Sequence, residues 1–101
     1  MPRIPGAETP ATSRSRHLRR EILRSLKLVF DRQSAVGYSF DLVADAVGRE
    51  SAVEWSAAEI QTALASLAGD GLIESRDGGF TLTLAGNGFF AAGCPWAKID
   101  K

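Results

Sequence analysis

Ser56–Phe80 reads SAAEIQTALASLAGDGLIESRDGGF, and the fold is decided there. Ser56 and Glu59 have the S-x-x-E spacing of a capping box, in which each side chain satisfies the other's backbone N–H at a helix start. Ile60, Ala63, Leu64 and Leu67 then recur at helical spacing and predict one buried stripe. Ala58, Gln61, Thr62, Ala65 and Ser66 fall on the outward side. Gly69 and Gly71 flank Asp70 and predict the helix stop. Leu72 and Ile73 begin a strand, and Arg76-Asp77-Gly78-Gly79 predicts a hairpin turn whose glycines supply positive φ. Phe80, Leu82 and Leu84 alternate with Thr81 and Thr83, the pattern of a half-buried strand.

Upstream, Met1–Ser15 reads as a flexible basic arm, because Pro2, Pro5 and Pro10 oppose a helix. A long helix is predicted to start near Ser13 or Ser15, either of which can cap it. Leu18, Ile22, Leu26 and Val29, widened by Leu23 and Phe30, give it one apolar face. Arg16, Arg20, Arg24 and Lys27 line up on another face, with Arg19 beside them. That ridge reads either as a solvated face or as a set of phosphate contacts, since guanidinium groups fork onto phosphate oxygens.

Gln33–Ser39 is a connector in which Val36, Tyr38 and Phe40 suggest a brief strand. A second helix is capped by Ser39 or Asp41, carries Leu42, Val43, Ala46 and Val47, and is expected to stop at Gly48. Trp55 reads as a lid or staple before the Ser56 cap. Downstream, a short helix is expected over Gly88–Ala92, with Phe89 and Phe90 docking it on the first helix, followed by a tail containing Pro95 and Trp96. The expected divisions are 1–15 as arm, 16–93 as the folded domain and 94–101 as tail.

At 101 residues, 45% hydrophobic and 24% charged, the chain has the make-up of one modest globular domain rather than a disordered segment. Formal net charge is zero, but residues 1–33 carry eight cations against three acids, whereas residues 34–97 carry two against eight. A molecule polarised in this way can steer a charged partner or stack on copies of itself. Cys94 and His17 are the lone cysteine and histidine, which argues against a disulfide, a metal site or a Cys/His nucleophile. No glycine-rich phosphate loop and no paired-carboxylate cleft stands out, so neither an enzyme nor a cofactor is expected. No apolar run approaches the roughly 20 residues of a membrane span. The polar N-terminus does not read as a secretory signal, so a reducing, cytoplasmic setting is expected.

The order of these elements resembles the winged helix-turn-helix, over about residues 16–93. Ala63–Glu74, ALASLAGDGLIE, looks like the segment joining a recognition helix to the first wing strand. Phe80–Gly86, FTLTLAG, looks like the returning strand and the entry to the last helix. The similarity is to small bacterial transcription regulators of the multiple-antibiotic-resistance or phenolic-acid type. It implies an α+β fold: a three-helix core, a two- to three-stranded β-wing and a short C-terminal helix. It also implies that Ala57, Ala58, Gln61, Thr62 and Ala65 face the major groove of double-stranded DNA, with Arg76 at the wing tip.

The third helix has no Lys or Arg, so the grip on phosphate falls to the N-terminal arm and to Arg16, Arg19, Arg20, Arg24 and Lys27 of the first helix, and a homodimer would bring two such faces over one duplex. The alternative is a winged-helix module that binds a protein partner without DNA, using its Ala-rich third helix and the aromatics Phe89 and Trp96.

Overall fold

The computed structural model describes residues 10–32, 37–50, 53–76 and 78–99, with residues 10–12, 50 and 76 described by their backbone alone. The chain is α+β. Helices α1 (Pro10–Asp31), α2 (Phe40–Glu50) and α3 (Ala57–Gly69) lead into an antiparallel pair, β1 (Ile73–Arg76) and β2 (Gly79–Leu82), followed by α4 (Leu84–Ala91) and a 3-10 turn at Trp96–Lys98.

α1 is the central element and packs on α2, α3, β2 and α4. Its buried stripe is Leu18, Ile22, Leu23, Leu26 and Val29. It starts earlier than the sequence suggests, so residues 10–15, expected in the arm, are helical. Pro10 does not break the helix because it occupies the first turn, where its missing N–H has no intrahelical partner to lose. The remainder of the expected arm, residues 1–9, lies outside the described residues, as does Val36 of the expected short strand.

α2 is capped at Ser39, whose Oγ accepts from Leu42 N at 3.3 Å. Gly48 does not stop it. The helix runs on to Glu50, since burial of Val43 and Val47 offsets the roughly 1 kcal/mol that an interior glycine costs relative to alanine. α3 follows its local signals: Ser56 Oγ accepts from Glu59 N at 3.1 Å and Glu59 Oε1 accepts from Ser56 N at 3.1 Å. Ile60, Ala63, Leu64 and Leu67 are buried. Gly71, at φ 75°, turns the chain away.

The strand register pairs Ile73 with Leu82 and Arg76 with Gly79. Of the two turn glycines only Gly78 has positive φ, at 80°. Gly79 is required for a different reason: a Cβ there would lie 2.5 Å from Gly37 O. The connector after α1 crosses β2 at this point, where Tyr38 bridges Phe80 through N–H···O contacts of 2.9 and 2.6 Å. Among the described residues, the brief strand expected near Tyr38 is therefore a single bridge.

Leu84 corrects the expected strand. It begins α4 instead of continuing β2, and it is 82% exposed. Thr83 ends the strand because its Oγ1 accepts from Gly86 N at 2.9 Å and so caps α4, several residues before the expected start at Gly88. Gly86 lets α4 close on the turn between α3 and β1, since a Cβ there would come within 1.9 Å of Leu72 O.

Candidate nucleic-acid or protein interface

α3 presents Ala57, Ala58, Gln61, Thr62, Ala65 and Ser66 to solvent. Gln61 and Thr62 are therefore where the sequence places them, on a bare helical face. Arg76 ends β1 opposite Gly79, beside the hairpin turn; its side chain lies outside the described residues, as does Asp77.

The cations of α1 divide into two groups. Arg20 and Arg24 are exposed and Arg16 is half-buried. Arg19, expected beside the ridge, is instead 4% exposed. Its guanidinium stacks 4.4 Å from the Trp96 ring centre, and its Nε donates to Ser15 O at 3.3 Å. Burial of the stem and stacking of the head remove it from any phosphate. Lys27 is also occupied: its Nζ donates to Asn87 Oδ1 of α4, pairs with Asp31 at 3.0 Å and lies 5.5 Å from the Phe30 ring centre.

Trp96 and Phe89 do not form an exposed anchor either. Trp96 is 8% exposed and meets Phe89 edge-on at 4.8 Å, so both close the core beneath the tail. Burial pushes the nearby Cys94 thiol up from its usual value, with Arg20 opposing the shift only in part.

Sequence reasoning passed over Arg14. It reaches from α1 to α3, its Nε donating to Glu59 Oε2 at 2.6 Å and its terminal nitrogen to Glu59 Oε1 at 3.1 Å and Glu54 O at 2.8 Å. The guanidinium also covers Trp55 at 4.5 Å, and His17 stacks against the same indole at 5.7 Å. Arg14 foremost, then the Ser56 backbone N–H, holds the Glu59 carboxyl down to about 2, while Arg14 itself is raised. No sequence signal marks this pair, because its members are 45 residues apart. This cation is therefore neutralised by α3 where it stands.

Arg14, Ser15 and Leu18 of α1 and Ala58, Thr62 and Ser66 of α3 border one open groove of about 420 Å³. Leu18 thus marks the side of α1 that faces α3. At 3.6 residues per turn, Arg20 and Arg24 stand about 200° and 240° further round the helix from Leu18. Arg20 and Arg24 therefore stand on a different side of α1 from the one that borders this groove.

Among the described residues, no helix is long and apolar enough to cross a membrane, and no group of His, Cys, Asp and Glu is placed to hold a metal ion. Compared with known proteins, the chain matches no family, no curated protein and no solved structure.

Proposed function

We propose that this chain is a winged-helix protein that binds double-stranded DNA, a small transcription regulator working in the cytoplasm. The observation that supports this reading is the layout: three helices, then an antiparallel hairpin, with the outer face of α3 left bare and Gln61 and Thr62 on it. Gln and Thr side chains hydrogen-bond base edges in a major groove. The Ser56–Glu59–Arg14 cluster fixes the start of α3 against α1, so the reading helix is pre-set. The resemblance assigns a nearby phosphate contact to Arg76, which ends β1 beside the turn. Arg20 and Arg24 lie outside this footprint, and Arg19 and Lys27 are removed from it by burial and pairing.

The neutral surface of α3 favours a second reading, a protein-interaction module of the same fold, because phosphate neutralisation dominates DNA affinity and α3 offers none. Fluorescence anisotropy of the full chain with random duplex at two salt concentrations decides between them. Salt-sensitive binding that Gln61→Ala with Thr62→Ala weakens, while Arg20→Ala with Arg24→Ala leaves it unchanged, supports DNA binding through α3. No binding at low ionic strength leaves the interaction module.

A further inference from the structure

Arg14 stands between two open clefts. On one side is the groove of about 420 Å³ between α1 and α3, bordered by the hydroxyl-bearing Ser15, Thr62 and Ser66. On the other is a cleft of about 440 Å³ bordered by Ser13, His17, Val53 and Trp55. The Nε of Arg14 and one terminal nitrogen make the bonds to Glu59 and to Glu54 O; the other terminal nitrogen takes no part in them. The Arg14 side chain is 43% exposed and that of Glu59 36%, so the pair is held at the surface and not sealed in the core.

The chemistry of this place is that of an oxyanion site with a resident carboxylate. A guanidinium grips carboxylate and phosphate through the same two-pronged fork. Glu59 fills both prongs, Oε2 on Nε and Oε1 on the terminal nitrogen. Serine and threonine hydroxyls, such as those flanking Arg14, are regular phosphate ligands beside arginine. A phosphodiester, with its oxygens in a tetrahedral array, can reach the guanidinium and a flanking hydroxyl together, whereas a planar carboxylate uses both oxygens on the fork. An exposed ion pair is weak and is screened by salt, so an outside anion can compete with Glu59.

We propose, resting on the reading of α3 as the DNA-facing helix, that Glu59 is an internal stand-in for a DNA phosphate and keeps Arg14 off the backbone of a duplex lying on α3. Ala58 and Thr62, which that reading turns toward the major groove, border the same groove as Arg14. Glu59 is the only charged residue of α3. With Arg14 held by it, α3 meets DNA without a cation. Binding then depends on base contacts at Gln61 and Thr62, since the phosphate grip, which carries no sequence information, is withheld. Glu59 is thus a specificity-determining residue, and Arg14 is a phosphate contact under its control.

Anisotropy of the full chain with random duplex across a salt series tests it. Glu59→Gln keeps the capping box, which accepts glutamine at this position, so circular dichroism should report an unchanged fold. Its affinity for duplex should rise at least about threefold at low salt, and the slope of log K against log salt should steepen by about 0.9, the value of one phosphate contact. Adding Arg14→Ala should remove the gain, whereas Arg14→Ala in the parent chain should lower binding far less. Glu54→Gln deletes a neighbouring exposed acid without releasing Arg14, and should give a smaller gain. A gain that Glu54→Gln matches, or that survives Arg14→Ala, overturns the proposal. So does an equal gain for polyglutamate in place of duplex. If the parent binds duplex through Gln61 and Thr62 and Glu59→Gln adds nothing, the proposal falls and the DNA-binding reading stands. If neither chain binds duplex, both fall.

Discussion

α1 and α3 are both amphipathic, but their polar sides are organised by different means. The ends of α3 are set by neighbours within four residues: Ser56 and Glu59 at its start, and Gly71 just past its end. Its exposed side carries small neutral residues, and its charge is confined to the first turn, at Glu59. α1 carries six of the chain's twelve Lys and Arg residues, yet their fates depend on distant parts of the chain. Arg14 is held by Glu59, Arg19 by Trp96 and Lys27 by Asn87, while Arg20 and Arg24 face out. A row of like residues on a helical wheel is thus not a row of like surfaces. Tertiary partners decide which members remain at the surface.

The contrast can be broken first at the exit from α3. Gly86→Ala drives a Cβ into the Leu72 carbonyl, a backbone clash that neither side can relieve by changing rotamer. A loss of about 3 kcal/mol or more is expected, visible as a fall in the urea midpoint or as failure to fold. A variant as stable as the parent would show that the packing of α4 on the turn after α3 is not tight.

Within α1, the adjacent pair Arg19 and Arg20 provides the direct test. Arg19→Ala removes the buried stem and the stack on Trp96 and should cost about 2 kcal/mol, whereas Arg20→Ala should stay within about 0.5 kcal/mol in the same denaturation assay. Equal losses would mean that burial does not separate the two positions.

At the local end of the comparison, Ser56→Ala deletes the cap acceptor for Glu59 N and should cost about 1 kcal/mol in thermal unfolding. The smallest effect is one of slope. The Glu59 carboxyl is held at about 2, below its unfolded value near 4.3. A depressed carboxylate stabilises the folded chain above the unfolded value, and that contribution fades as pH falls from about 5 towards 2. Arg14→Ala should therefore flatten the decline of Tm across that window and leave the slope between pH 6 and 8 unchanged. An identical acid slope would remove the Arg14–Glu59 pair from the account.

These tests also separate what was legible from what was not. The capping box, the buried stripe of α3, the glycine exit and the hairpin could be read because each is a pattern over a few adjacent residues. Gly48 and Leu84 were misread for a complementary reason. A glycine that looks like a stop stays helical when Val43 and Val47 bury around it, and an alternating Leu84 leaves the strand because Thr83 caps the next helix. The outward placement of Gln61 and Thr62 could be read from helical spacing alone. The Arg14–Glu59 pair and the buried Arg19 could not, since each depends on which elements meet.

By itself, the amino-acid sequence determined where α3 begins and ends, which of its residues are buried and where the hairpin turns. Those outcomes follow from backbone hydrogen bonds and periodicities that span a few residues. Only the tertiary structure decided that Arg19 stacks on Trp96, that Lys27 reaches Asn87 and that Arg14 ties α1 to Glu59 of α3. Those outcomes depend on contacts between distant segments, such as Arg14 with Glu59, 45 residues on, and Lys27 with Asn87, 60 residues on. A local pattern sets the direction of a side chain around its own helix, and the fold decides what that direction meets.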